Sequence, residues 1–257
     1  MASRRLQFSV FSHAFREARR PALIWSAVMA AAVLLLLLAH PLLRTALAGP
    51  LPGWAALLLG VPAVDSGLEN QRAWWLTAAF NLVLPVLMIL YSVRLGSVLM
   101  AREEERGSLG FLLSTPLPRS LLVLEMFAAL LVLLLIPTMA VWLACTLTGY
   151  FDPRLALGLF LLGLTFGAPA FALGAVTGRQ MISQNIVLAV ALLTFLLDRL
   201  AKNSPAEAVL RLFSPFSYYG TIQLGGGLAA PVLVLLGLSL LAFVLGGMIF
   251  NHRDLQI

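Results

Sequence analysis

The residues of this chain that could do chemistry are few and far apart. His13, His40 and His252 are too dispersed for an obvious metal site, and no nucleophile has a base to form a pair with it. The only cysteine, Cys145, lies inside an apolar run. An internal disulfide and a cysteine-based metal cluster are therefore excluded, and a small core filler is the expected role. The only lysine, Lys202, follows no glycine loop, so the phosphate-cradling pattern GxxxxGK[ST] is absent and the chain binds no ATP by that route. What the sequence does concentrate is ionic chemistry. Arg102, Glu103, Glu104, Glu105, Arg106 and Arg119 crowd between Ala101 and Ser120, a density that only an aqueous or protein-covered position tolerates.

The order within this stretch predicts a short helix over residues 102–114. Glutamates lead, at the end where the helix dipole is positive, and Leu109, Leu112 and Leu113 recur at offsets of three and four, on one face. Pro116 stops the helix, and Pro118 can open the next one in its first turn, where no N–H is needed. Charge and periodicity fit a docking element and an ordinary acidic loop equally well.

The elements that must position this stretch are apolar. Of 257 residues, 61% are hydrophobic and 11% charged, against roughly a quarter charged in soluble domains. Runs such as VMAAAVLLLLLA and LLVLEMFAALLVLLLIP approach the roughly 20 residues that cross about 30 Å of hydrocarbon. The composition therefore predicts an all-α polytopic membrane protein. A net charge of +6 and a pI near 10.4 do not imply nucleic acid, because the arginines are scattered over loop ends and read as topology signals.

In chain order, Phe8, Phe11 and Phe15 stand at helical spacing among Arg4, Arg5, Arg16, Arg19 and Arg20, the pattern of an amphipathic helix over residues 1–20 lying in the membrane interface. A disordered basic tail is the alternative, and the phenylalanine spacing argues against it. Six spans are expected at about 21–39, 73–100, 121–148, 155–176, 186–197 and 228–250. The second can kink at Pro85, and the fourth carries Gly158, Gly163, Gly167 and Gly174, which allow close approach to a neighbour. Gly53 to Val64 is too short to span and is expected to be interfacial or re-entrant, with Trp54, Trp74 and Trp75 at the membrane surface. Asp198 to Gly227 reads as a mixed outer loop. Arg199, Lys202 and Arg211 cluster there, and Tyr218 and Tyr219 belong to an aromatic belt. Intramembrane polar candidates are Asn81, Arg94, Glu125, Gln180, Gln184 and Asn185, of which Glu125 and Arg94 are close enough to an end to snorkel or pair. Six spans put both termini on one side. The larger share of Lys and Arg falls on that side, which assigns it, with residues 101–120, to the cytoplasm.

The stretch REEERGSLGFLLSTPLPRSLLVLE closely resembles the signature of ABC transporter permeases of the ABC-2 type, and FNHRDL, Phe250 to Leu255, resembles their common C-terminus. FREARR near the start looks like their opening helix. One departure is Gly110, where the family often has an acidic residue. The resemblance implies a non-catalytic transmembrane subunit of an ATP-driven complex in a cell membrane, a bacterial inner membrane by type. It implies a coupling helix whose Glu103, Glu104, Glu105, Arg106, Gly107, Ser108, Leu109 and Leu112 contact a separate ATP-binding subunit. ATP and magnesium would then sit on that partner and no cofactor on this chain. A second permease chain, identical or homologous, and membrane lipid complete the expected partners. The expected function is export of an amphipathic or lipid-like substrate. The alternative is mechanotransmission, in which the chain drives an extracytoplasmic protein and nothing crosses.

Overall fold

A computed structural model describes residues 2–61, 68, 70–105, 119–149, 152–201, 207–225 and 227–252. Helix is the only regular secondary structure among the described residues, and six helices are long and apolar enough to cross a membrane: Phe11–Leu43, Gln71–Ala101, Ser120–Leu147, Pro153–Thr177, Gln180–Ala201 and Ala229–His252. The protein is thus an all-α polytopic membrane protein. The expected spans are all present, but the fifth begins earlier than expected and absorbs the polar segment from Gln180.

We label the helices α1 (Ala2–Leu47), α2 (Gly53–Leu59), α3 (Gln71–Trp75), a π-helical segment (Leu76–Val83), α4 (Leu84–Glu105), α5 (Arg119–Leu147), α6 (Pro153–Thr177), α7 (Gln180–Ala201), α8 (Glu207–Leu212), α9 (Pro215–Gln223) and α10 (Ala229–His252). Helix α3, the π segment and α4 together make the second span. Pro21, expected to open the first span after a separate interfacial helix, does not interrupt the chain: α1 runs unbroken through it. The candidate first span of 33 residues would be about 50 Å long at 1.5 Å per residue, more than the ~30 Å hydrocarbon requires.

Helix α6 is the centre of the bundle. Asp152 caps it by accepting the N–H of Arg154, Pro153 occupies the first turn, and Gly178 ends it in the left-handed conformation at φ 61°. Its small residues let neighbouring backbones come near, as the glycine pattern predicted. A Cβ on Gly96 of α4 would overlap the carbonyl oxygen of Gly167, and one on Gly246 of α10 would come within 2.5 Å of the Ala172 Cβ. Helices α5, α6 and α10 also share an aromatic cluster: Phe127 stacks on Phe243 at 4.1 Å and meets Phe171 edge-on at 5.7 Å. Cys145 is buried in the core, as expected.

Cross-bonds fix the remaining spans. The Tyr91 hydroxyl donates to the Leu133 carbonyl at 2.9 Å, the Ser183 hydroxyl to the Ala170 carbonyl, and the Trp74 indole to the Leu36 carbonyl at 3.1 Å. Trp74 and Trp75 are therefore bundle residues, not the surface anchors their position suggested, whereas Trp54 is exposed. Their neighbours on α1 and the π segment cover them, which spacing within one segment does not reveal.

Candidate functional site

A polar cavity lies at the end of the bundle that carries α2, α8 and α9. Its origin is a sequence feature of the second span, Pro85. In an α-helix the carbonyl of Asn81 would receive the N–H of position 85, and proline has none. Upstream, the helix widens to π geometry, and the N–H of Leu84 bonds to Ala79 in place of Phe80. A π-type donor for Phe80 would again be position 85. One proline therefore leaves two carbonyls, those of Phe80 and Asn81, needing donors from outside the helix.

Those donors come from two other elements. The Tyr219 hydroxyl donates to the Phe80 oxygen at 2.8 Å, and the Gln223 amide donates to the same oxygen at 3.2 Å. Arg199 of α7 donates through Nη2 to the Asn81 oxygen at 2.5 Å. Both Tyr219 and Gln223 lie on α9, whose start is fixed by Ser214: its side chain accepts the Phe216 N–H and donates to the Thr194 carbonyl at 3.0 Å, tying α9 to α7. The Ser217 hydroxyl, donating to the Arg211 carbonyl, holds α8 against the same corner.

Arg199 is buried, 5% exposed, and so is Asp198. Their charges are paired loosely: Nη1 of Arg199 stands 3.8 Å from the Asp198 carboxylate, and the guanidinium lies 4.8 Å from the centre of the Phe195 ring. The Arg199 Nε–H is buried and has no hydrogen-bond partner among the described residues. Burial pushes the Tyr219 phenol well above its ordinary value, so it remains a protonated donor at neutral pH. A cavity of about 210 Å³ opens among these groups.

Two readings of this region need correction. Asp198 and Arg199 are not loop residues but belong to the last turns of α7, and Tyr219 is not part of a lipid-facing belt. A charged pair after an apolar run resembles the start of an aqueous loop. Here the pair turns inward because the Asn81 carbonyl accepts from it. Asn81 itself was among the intramembrane polar candidates, and Pro85 four positions later is the signal that could have found its partners.

The acidic stretch at the opposite end is described only to the end of α4. Glu103, Glu104 and Glu105 lie on its last turn, while Arg106, Gly107, Ser108, Leu109 and Leu112, with most of the expected helix over 102–114, lie outside the described residues. At that same end, Phe11 and Phe15 stack at 6.1 Å and are packed against the bundle core, with Arg16, Arg19 and Arg20 exposed; the Phe8 side chain lies outside the described residues. The Glu125 carboxylate accepts the Phe11 N–H at 3.3 Å, a structural tie between α1 and α5, and Arg94 is exposed. Among the described residues no group of His, Cys, Asp or Glu could hold a metal ion.

No protein-family model matches this sequence, nor does any curated protein.

Proposed function

We propose that this chain is the membrane-spanning permease subunit of an ABC-2 type ABC transporter complex. A separate nucleotide-binding subunit, carrying ATP and magnesium, grips the acidic stretch from the cytoplasm and drives export of an amphipathic or lipid-like substrate through a pair of permease chains. The resemblance of residues 102–125 and 250–255 to that family supports this reading, as does the absence of a phosphate-loop motif in the sequence.

The observation that carries the proposal is the continuity of the second span. It ends in Glu103, Glu104 and Glu105, packs on α6 at the Gly96–Gly167 contact, and at its far end is held by Arg199, Tyr219 and Gln223. A push on the acidic stretch would therefore move α4 and α6 as a body and reach α9 across the bundle. Mechanotransmission to an extracytoplasmic protein is the second reading, favoured by the tie to α9, which links the span to the surface such a partner would touch.

Co-purification of the tagged chain from its native membrane, with mass spectrometry, tests the proposal. An ATP-binding polypeptide in stoichiometric amount is the expected result. Full activity from a preparation that contains none would remove the transporter reading. A continuous polar or lipid-sized path between two permease chains would separate export from transmission.

A further inference from the structure

Two buried side chains of opposite charge line the cavity with hydrogen-bonding capacity to spare. The Arg199 Nε–H has no acceptor among the described residues. Nor does a hydrogen bond reach the Asp198 carboxylate among them, and its cation, Arg199 Nη1, stands 3.8 Å away. Arg211 also lines the cavity but is engaged in an interaction of its own. The Asp198–Arg199 pair carries no net charge, so a well-matched occupant brings none either, while offering an acceptor to the Nε–H and a donor to the carboxylate. A simple anion answers only Arg199, and a simple cation only Asp198. A zwitterion with a primary ammonium and a monoanionic oxyanion answers both: the ammonium has three N–H donors for Asp198, and the oxyanion accepts from Arg199 in a charge-assisted bond.

Size and position narrow the source. A volume of about 210 Å³ is roughly seven times the ~30 Å³ share of a water molecule and below the ~300 Å³ at which pockets for whole drug-sized ligands begin. The cavity thus suits a head group, not an entire amphipath. Helix α7 is a 22-residue span, about 33 Å long, which little more than crosses the ~30 Å hydrocarbon, and Asp198 and Arg199 lie in its last turn, where head groups begin. Leu192, Leu193, Leu196 and Leu200 on the same helix are exposed, as lipid-facing positions are, so acyl chains would find an apolar surface beside the cavity.

We infer that this cavity is a binding site for the zwitterionic head group of a phosphatidylethanolamine-type lipid, its ammonium on Asp198 and its phosphodiester on Arg199. The inference stands on the cavity alone and does not require a coupled ATPase.

Native mass spectrometry of the purified full chain in detergent tests it, by titration with phosphatidylethanolamine, phosphatidylcholine and phosphatidylglycerol, and with glycerophosphoethanolamine as a competitor that has the head group and no acyl chains. One phosphatidylethanolamine should bind per chain, in preference both to phosphatidylcholine, whose quaternary ammonium has no N–H, and to phosphatidylglycerol, which has no cation. Asp198→Asn should erase the preference over phosphatidylcholine, and Arg199→Gln should weaken binding of phosphatidylethanolamine by about tenfold or more, the scale of a lost charged hydrogen bond. Gly220→Met decides the matter if neither variant folds: Gly220 lines the cavity, and a Cβ there meets nothing within 4 Å, so the new side chain fills the space while leaving every charge in place. It should abolish binding while a circular-dichroism melt shows the chain folded. Equal binding of the three lipids, as for a cavity that holds water only, overturns the assignment, as does a preference for phosphatidylglycerol or wild-type phosphatidylethanolamine occupancy in a folded Arg199→Gln or Gly220→Met chain. Displacement by an equal concentration of glycerophosphoethanolamine overturns the lipid source.

Discussion

The Tyr219 hydroxyl reaches the carbonyl of Phe80 at 2.8 Å, across 139 positions of sequence, because Pro85 denies that carbonyl a donor within its own helix. The contact thus joins a gap in one span to a side chain from a distant loop helix. Tyr219→Phe should lower stability by about 1 kcal/mol, since Gln223 still donates to the same oxygen. In a Pro85→Ala background, which restores an N–H to the second span, the same change should cost clearly less. A double-mutant cycle of thermal melts in detergent measures the difference; equal penalties in both backgrounds would separate the proline from the contact.

The phenol of Tyr219 also makes the contact sensitive to strong base. Burial raises its folded-state pKa above the unfolded value. Its contribution is therefore fully present below the ordinary tyrosine pKa of about 10 and is lost as pH rises beyond it. Melting temperatures of the wild type and Tyr219→Phe should run parallel from pH 6 to 9. Above about pH 10 the wild type should lose more, and parallel curves there would contradict the burial argument.

Helix α4 lies on α6 at a distance that only glycine permits. Gly96→Ala places a methyl group against the Gly167 carbonyl oxygen and within 3.0 Å of the Phe171 nitrogen, both backbone atoms that cannot swing aside. A loss of about 1–3 kcal/mol is expected from the overpacking. Gly53→Ala, with nothing within 4 Å of the added carbon, should leave the melt unchanged or slightly raised and serves as the control. Similar melts for the two variants would show that the helices can part at no cost.

Much of this architecture could be read from the sequence. Apolar runs located the six spans, since hydrocarbon thickness sets their length, and the fourth span's glycines announced its close contacts. Pro21 was misleading: a proline suggests a break, yet α1 continues through it. Trp74, Asp198, Arg199 and Tyr219 were assigned to surfaces because aromatic and charged residues near span ends commonly face head groups or water. Their burial depends on acceptors supplied by other helices, at Leu36, Phe80 and Asn81. Such pairings are tertiary and leave no periodicity within one segment.

The central claim is that the acidic stretch after the second span is a handle for a motor on another polypeptide. Its most direct test is ATP turnover of the chain co-reconstituted with the nucleotide-binding polypeptide that the proposal assigns to it, wild type against Leu109→Asp, with membrane insertion checked in both. The account predicts that the variant inserts normally while coupled turnover is abolished, because a charge replaces the apolar side chain expected to bury against the partner. Turnover equal to wild type, from a variant that inserts equally well, would contradict it.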